Sequence, residues 1–304
     1  MTTQVNDSVP AATPAEMWVD IRPDAGGLRL HLLHWPAEGD SAARPLVLLH
    51  GLSSNARTWE QTAAQLAAWG HPVYAVDQRG HGLSDKPANG YDFATITDDL
   101  LRLCTVLGLA DPVIAGQSWG GNVVLTFAAR YPGHSAGIVL VDGGYIDLQM
   151  QPGNSWDEVA VRLRPPSLAG TPRAYLQSMI QSSHPDWTEA GVAATLANFE
   201  TLPDDTVRPW LTLDRHMMIL HELWSQRPGP LFGQVSVPAL IAVANDPGNP
   251  AWMEVKQQQV DAAVAALPHA TVHWFAATAH DIHVHRPAAL AGLMQDWMRG
   301  EGIS

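Results

Sequence analysis

The chain alternates between short apolar runs and longer helical patterns, and this alternation constrains its fold more than any other feature. The apolar runs have the continuity expected of strands buried on both faces, and they lie at Leu46–Leu49, Val73–Val76, Val113–Ala115, Ile138–Val141, Ala239–Val243 and Val272–Phe275. The clearest helical patterns lie at Ala56–Trp69, Ala94–Leu107, Trp119–Arg130, Trp252–Ala266 and Pro287–Trp297. Strands that alternate with helices predict an α/β fold, with a mostly parallel sheet and helices on both of its faces.

Two features complete this architecture. Met17–Arg22 and Leu28–Trp35 alternate in polarity and predict two edge strands, which brings the sheet to eight strands. Between about Tyr145 and Gln234 the chain is rich in Trp, Met and Pro and shows helical but no strand-like patterns. We therefore predict a core domain of residues 16–144 and 235–304, a helical cap of residues 145–234 inserted after the sixth strand, and a disordered tail of residues 1–15. Such a cap would cover the carboxyl edge of the sheet, where α/β proteins bind ligands.

Composition excludes several classes of function. The 304 residues carry a net charge of −13, which disfavours nucleic acid and anionic lipid as partners. The start of the chain has neither a basic cluster nor an apolar stretch, and no run of about 18 apolar residues occurs, so we expect a cytoplasmic protein without a membrane partner. The single cysteine, Cys104, lies in an apolar helical run and is interpreted as a packing residue. Nothing in the sequence indicates the oligomeric state.

The strongest local signal is the pentapeptide Gly116-Gln117-Ser118-Trp119-Gly120, which follows one predicted strand and opens a helix. A G-x-S-x-G sequence in this context predicts a nucleophile elbow, because small neighbours permit a strained turn that projects the Ser118 hydroxyl clear of the sheet. The helix N-terminus also favours developing negative charge at that position. We therefore predict that Ser118 is a nucleophile.

Together with two other segments, the pentapeptide resembles the α/β-hydrolase family. His50-Gly51 resembles the family's oxyanion loop, and residues 77–84, Asp-Gln-Arg-Gly-His-Gly-Leu-Ser, resemble its turn after the fourth strand, which we interpret as structural. The resemblance covers roughly residues 28–143 and 236–299. It implies an α/β-hydrolase fold with an oxyanion hole formed by the backbone amides of Trp119 and Leu52, with Ser53 as the alternative to Leu52.

A serine nucleophile requires a general base, and the family takes it from the loop after the last strand. His280 matches that position, and His283 is the alternative. His280, His283 and His285 also form an H-x-x-H-x-H sequence, but no cysteine or clear carboxylate set accompanies it. We therefore expect no metal and no cofactor, and we interpret His285 as a solvated loop residue.

Two residues compete for the acid that orients the base. Asp246 follows the seventh predicted strand, which is the usual place of the acid in the family, and it is the first choice. Asp142 ends the sixth strand, from which some family members take their acid, and it is the alternative. Either carboxylate would hold the imidazole tautomer and stabilise the imidazolium.

These residues predict a serine hydrolase that cleaves a small carboxylic ester or lactone through an acyl-enzyme. The residues expected to bind substrate are apolar side chains of the cap, namely Trp156, Met179, Trp210, Met217 and Trp224. The same triad would also serve a C–C bond hydrolase, a perhydrolase or an aminopeptidase. The Ser-Trp-Gly sequence resembles proline iminopeptidases, which need an acidic group for the substrate amine. The alternative without catalysis is a ligand-binding receptor of the same fold.

Overall fold

The first part of the chain forms the larger share of an α/β core. The computed structural model describes residues 13–22, 27–37, 43–151, 153–246 and 250–304, so most of the predicted tail, residues 1–12, lies outside the described residues. The elements of this part are β1 (Ala15–Asp20), β2 (Arg29–Trp35), β3 (Leu46–Leu49), α1 (Glu60–Ala68), β4 (Val73–Val76), α2 (Phe93–Val106), β5 (Val113–Gln117), α3 (Trp119–Arg130) and β6 (Gly137–Val141). A 3-10 turn at Ala56–Trp59 precedes α1. Asp92 begins α2, because its side chain accepts a hydrogen bond from the Thr95 amide.

The segment of residues 145–234, which we call the cap segment, contains short helices and a small sheet. Its elements are a 3-10 turn (Leu148–Met150), α4 (Trp156–Arg162), β7 (Thr171–Pro172), α5 (Arg173–Ser183), α6 (Glu189–Leu196), β8 (Phe199–Thr201), β9 (Thr206–Pro209), α7 (Leu213–Ser225) and α8 (Gly229–Phe232). The chain then returns to the core with β10 (Ala239–Asn245), α9 (Pro250–Ala266), β11 (Ala270–Ala276), α10 (Ile282–His285) and α11 (Pro287–Gly300). No helix in the described ranges is both long enough and apolar enough to cross a membrane.

Within the described residues, eight strands form the main sheet in the order β1-β2-β4-β3-β5-β6-β10-β11. Strand β2 runs antiparallel to both of its neighbours, and the other neighbouring pairs are parallel. Leu49 pairs with Gly116, Gln117 with Val141, and Val141 with Ala242, so the carboxyl ends of β3, β5, β6 and β10 meet at one edge. The predicted mostly parallel eight-stranded sheet is confirmed.

Helices cover both faces of this sheet with apolar side chains. Trp119 and Phe127 of α3 pack on one face, together with α2 and α9. Trp59 and Trp297 pack on the other, together with α1 and α11. Cys104 is buried in the first of these layers, and burial raises the pKa of its thiol to about 12, as befits a packing residue.

The cap segment departs from the prediction in one respect. It contains a three-stranded sheet in the order β7-β9-β8, whereas the sequence indicated helices alone, so that expectation was wrong. Strands β8 and β9 form an antiparallel hairpin whose turn includes Asp205 at φ 60°. These strands have three and four residues and are mostly half-buried, so they are too short to show a period-two pattern.

A buried carboxylate fixes the turn that follows β4. Asp77 accepts hydrogen bonds from the Ala56 amide at 2.7 Å, the Leu83 amide at 2.9 Å and His31 Nδ1 at 2.8 Å. Burial acts to raise the pKa of Asp77, but these hydrogen bonds and the nearby His50 outweigh it and lower the pKa. The Asp77–Ser84 turn is thus tied to β2 and to the 3-10 turn, which agrees with its structural interpretation.

We expect Asp77→Ala to lower the free energy of unfolding by about 3–5 kcal/mol, because a buried amide, a partly buried amide and a buried imidazole lose their common acceptor. Urea denaturation followed by circular dichroism measures this loss. The matched control is Asp85→Ala, since the Asp85 carboxylate accepts a hydrogen bond from the more exposed Arg29 amide. An equal loss of unfolding free energy in the two variants would show that Asp77 stabilises the fold no more than Asp85 does.

Candidate active site

Ser118 lies between β5 and α3 in a strained backbone conformation. Its φ of 54° and ψ of −123° are sparsely populated for a residue with a side chain. Strain of this kind persists only where the surroundings enforce it, and it concentrates at functional sites. The turn that the G-x-S-x-G sequence predicts is therefore present, and the half-buried Ser118 side chain stands at the carboxyl end of β5.

The turn is held by unusually close backbone contacts. A β-carbon at Gly116 would lie 2.2 Å from the Gly120 carbonyl oxygen, so this position accepts only glycine. The Ser118 amide donates to the Val141 carbonyl at 2.9 Å. A β-carbon at Gly143 would lie 2.1 Å from the backbone carbonyl oxygen of Ser118. Because Val141 and Gly143 flank Asp142, these contacts set Asp142 beside the nucleophile turn.

The oxyanion prediction names the amides of Trp119 and Leu52, which belong to segments next to Ser118. Trp119 opens α3, and Leu52 follows Gly51, where an added β-carbon would lie 3.1 Å from Ser118 Cβ. In the part of the chain that the structure describes, neither amide donates a hydrogen bond to another protein group. Both amides therefore have no protein acceptor among the described residues, and the oxyanion hole stays a prediction.

His280 is hydrogen-bonded to Asp142. Its Nδ1 lies 2.6 Å from Asp142 Oδ2, while half of the imidazole side chain is exposed. The bond uses Nδ1, which leaves Nε2 as the nitrogen that can accept a proton, and Nε2 is not hydrogen-bonded to the Ser118 hydroxyl in this structure. Such a contact commonly tightens only when substrate binds.

The charges around this pair shift both pKa values. Burial acts to raise the pKa of Asp142, but His280 and Lys256 outweigh it and hold the pKa at about 2. Desolvation acts to lower the pKa of His280, but the hydrogen bond and charge of Asp142, with Asp281, raise it above 6.5. Asp142 therefore stays ionised across the whole range in which His280 titrates.

The structure brings Asp142, the alternative acid, to His280 instead of Asp246, the first choice. Asp246 is exposed just after β10, whereas the carboxylate against His280 belongs to Asp142, the alternative. The physical reason lies in the backbone, because Asp142 has a φ of 43°. This left-handed conformation at the end of β6 turns the chain after the strand, and sequence spacing alone did not reveal it.

The other two histidines of the H-x-x-H-x-H sequence have separate partners. His283 is buried with its ring 4.6 Å from that of Trp59, and burial lowers its pKa to about 4. His285 is buried too, 2.6 Å from Asp186 of the cap segment, so its interpretation as a solvated residue was wrong. His283 is thus part of the packing around α10, and His285 links α10 to the cap segment.

Comparison with known proteins agrees with this arrangement. The sequence model of the alpha/beta hydrolase family matches residues 46–293. The chain belongs to the α/β-hydrolase family. The AB hydrolase superfamily protein YisY of Bacillus subtilis is 37% identical over 90 residues, which are 30% of this chain and 34% of that protein. The 2-(acetamidomethylene)succinate hydrolase of Mesorhizobium japonicum is 33% identical over 129 residues, 42% of this chain and 44% of that protein.

A solved structure extends the likeness to nearly the whole chain. The crystal structure of E-2-(acetamidomethylene)succinate hydrolase superposes with a TM-score of 0.74 at 21% identity, over 94% of this chain and 99% of that one. At this identity the likeness establishes the fold alone. The alignments to the two curated relatives, by contrast, span less than half of the length of each.

A cavity of about 540 Å³ lies between the loop after β3 and the cap segment. Ser53 and Ser54 line it from the loop after β3, and Ser53 Oγ lies 2.7 Å from His216 Nδ1 of α7. Neither Ser118 nor His280 lines this cavity, whose lining includes Ser53, the residue after Leu52. The described lining residues other than Ser53 and Ser54 all belong to the cap segment.

The five apolar residues predicted to bind substrate are not all together. Trp210 lines the cavity beside Ser53. Trp156 and Met217 line a second cavity of about 450 Å³ near Tyr91, and Trp224 packs against Trp156. Met179 is 40% exposed on α5. Trp210 is therefore the best placed of the five, and the other four were predicted from composition without knowledge of where each helix faces.

Sequence reasoning missed three residues that hold the site together. Gln117 Nε2 donates to Asp281 Oδ1 at 3.2 Å and to the His280 carbonyl at 3.4 Å, which ties the nucleophile turn to the histidine loop. Tyr145 Oη donates to Asp142 at 2.7 Å, and Lys256 Nζ binds both Asp142 oxygens. The available signal for Lys256 was its rarity, because the chain contains only two lysines.

We expect Asp142→Asn to lower kcat for an activated ester by about 10³- to 10⁴-fold, because an amide favours the wrong imidazole tautomer. Asp246→Asn should change kcat by less than about twofold, because Asp246 is exposed and the carboxylate bonded to His280 belongs to Asp142. The measurement is steady-state kinetics at a temperature where circular dichroism shows both variants folded. A larger loss in the Asp246 variant would restore the first choice of acid.

Proposed function

We propose that this protein is a serine hydrolase that cleaves a small carboxylic ester or lactone through an acyl-enzyme intermediate. Ser118 is the nucleophile, His280 the general base and Asp142 the acid, while the amides of Trp119 and Leu52 form the oxyanion hole. The observation that carries the proposal is the 2.6 Å bond from His280 Nδ1 to a buried carboxylate that adjoins the strained Ser118 turn. A serine hydroxyl is activated by a base that is itself oriented by an acid, and these three groups supply that arrangement.

Acylation begins when Ser118 Oγ attacks the substrate carbonyl carbon and His280 Nε2 takes the hydroxyl proton. The carbonyl oxygen becomes an oxyanion that accepts hydrogen bonds from the Trp119 and Leu52 amides. The imidazolium then donates its proton to the leaving alkoxide as the carbon–oxygen bond breaks. Asp142 stabilises the imidazolium through Nδ1 and remains ionised throughout.

Deacylation repeats these steps with water. His280 removes a proton from a water molecule that attacks the acyl carbon, and the same two amides stabilise the second oxyanion. Collapse of this intermediate releases the carboxylic acid, and Ser118 recovers its proton from His280. No step requires a group other than residues of this chain and water.

The cavity beside Ser53 bears on the substrate. Most of its lining is apolar, contributed by Pro165, Pro166, Leu168, Ala169, Phe199, Pro209, Trp210, Leu211 and Leu213. No carboxylate occurs among the described residues that line it. An aminopeptidase would need such a group for the substrate amine, so the lining favours an ester or lactone over an aminoacyl amide. C–C bond hydrolysis would use the same triad and is distinguished by substrate alone.

Titration with p-nitrophenyl acetate is the direct test of covalent chemistry at Ser118. We expect a burst of about one nitrophenolate per chain in the wild type and none in Ser118→Ala, whose kcat should fall by several orders of magnitude. The alanine removes no core volume, so its unfolding midpoint should stay close to that of the wild type.

Two outcomes would contradict the proposal. Retention of more than about a tenth of the activity in Ser118→Ala would assign the chemistry to another residue. A wild type without any burst or turnover on esters, lactones and aminoacyl amides would favour the ligand-binding receptor.

We expect neutral esters to be preferred to matched carboxylate-bearing esters, because a buried carboxylate needs a cation as partner. Arg208 in the cavity lining is already paired with Glu200, whereas Arg164 forms no ion pair with a carboxylate in the described ranges. The measurement is kcat/KM for each ester pair with the wild type and Arg164→Gln. A preference of about tenfold for carboxylates that Arg164→Gln abolishes would show the opposite, namely that Arg164 binds an acidic substrate.

A further inference from the structure

The acid of the proposed triad is bound by a buried lysine. Lys256 Nζ of α9 lies 2.9 Å from Asp142 Oδ1, 2.8 Å from Asp142 Oδ2 and 2.9 Å from the Ala244 carbonyl oxygen. The lysine and aspartate side chains are 4% and 1% exposed. An ammonium group has three hydrogens, so these three acceptors account for all of its donors.

The remaining bonds of the Asp142 carboxylate show what the lysine adds. Oδ1 also accepts from Tyr145 Oη at 2.7 Å and from the Ala244 amide at 3.0 Å, and Oδ2 accepts from His280 Nδ1. The lysine alone binds both oxygens, so it fixes the plane of the carboxylate. This plane sets the direction from which Oδ2 meets the imidazole.

The lysine also changes the electrostatics of the base. Lys256 Nζ and His280 Nδ1 lie 2.8 Å and 2.6 Å from the same oxygen, so they are at most about 5.4 Å apart. A fixed positive charge at that distance opposes protonation of His280, whereas Asp142 and Asp281 favour it. The neighbouring buried His283, with a pKa lowered to about 4, is neutral where His280 titrates. A triad acid without this lysine would present an uncompensated negative charge to the imidazole.

We propose that Lys256 is a positioning residue of the triad, which orients the Asp142 carboxylate toward His280 and partly offsets its charge. This inference rests on the proposed function for its catalytic meaning. The lysine acts through Asp142 and touches neither Ser118 nor the substrate. It also explains how the acid can lie at the end of β6. In this arrangement β10 and α9 supply hydrogen-bond donors to Asp142, and neither element has to supply the acid itself.

The test compares Lys256→Met, which removes the charge, with Lys256→Arg, which keeps it. In Lys256→Met we expect the midpoint of the acid limb of kcat/KM against pH to rise by about one pH unit, because His280 loses a repelling cation. We also expect kcat to fall by about tenfold or more with little change in KM, since the acid is less well oriented. In Lys256→Arg the midpoint of the acid limb should return most of the way to its wild-type pH.

The matched control is Arg79→Met. Arg79 forms a buried ion pair with Asp99 at 2.7 Å, away from the triad. This variant should lose stability much as Lys256→Met does, but its acid limb should stay at the wild-type pH. The proposal would be overturned if the acid-limb midpoint of Lys256→Met stayed at the wild-type pH and activity fell only in proportion to the folded protein. Lys256 would then be a structural residue.

Two further measurements keep the proposal testable in every case. If Lys256→Met does not fold, the double variant Asp142→Asn/Lys256→Met, which buries no unpaired charge, should match the kcat of Asp142→Asn alone; a further loss would mean that Lys256 acts elsewhere. NMR titration of the His280 ring, assigned against His280→Gln, reads the same pKa change without turnover. A wild type without esterase activity therefore fails the proposed function, and an unchanged His280 titration fails this inference.

Discussion

The buried charge of Asp142 is the interaction on which the site depends. An ionised carboxylate without partners is very costly to bury, so the chain must surround it with donors. Those donors come from β10, α9, the start of the cap segment and the histidine loop, through Ala244, Lys256, Tyr145 and His280. Because one carboxylate needs all of these hydrogen bonds, four separate parts of the chain meet at the carboxyl ends of β5 and β6, where Ser118 lies.

A second buried carboxylate, that of Asp77, fixes the loop that reaches Ser118 from β3. Asp77 ties the turn after β4 to the 3-10 turn at Ala56–Trp59, and so it fixes the far end of the loop that follows β3. That loop carries Gly51 and Leu52 to the nucleophile. The two acids differ in one respect that matters for chemistry: Asp77 lies among backbone amides and a buried imidazole, whereas Asp142 meets the half-exposed His280.

Sequence patterns were sufficient where one local cause determines the structure. Continuous apolar runs predicted strands such as Leu46–Leu49 and Val73–Val76 with their observed bounds, and the glycines around Ser118 predicted its turn. Patterns failed where the outcome depends on the direction of a side chain. Asp142 and Asp246 both follow strands of the same sheet edge, but Asp142 is buried and has a left-handed backbone, whereas Asp246 is exposed. The Trp and Met residues of the cap segment failed in the same way, because composition does not tell which face a short helix presents.

The cap segment holds the site loops as well as enclosing a cavity. His216 contacts Ser53 of the loop after β3, and Asp186 contacts His285 of the helix that follows His280. On α10, Val284 packs with Trp187 and Val192 of the cap segment, so the contact there is apolar as well as polar. Both loops that border Ser118 are therefore braced by residues from this one segment. A change of the cap-segment packing would alter the cavity, the loop that carries Leu52 and the loop that carries His280 together. In the proposed function this would couple substrate binding to the positions of the catalytic groups.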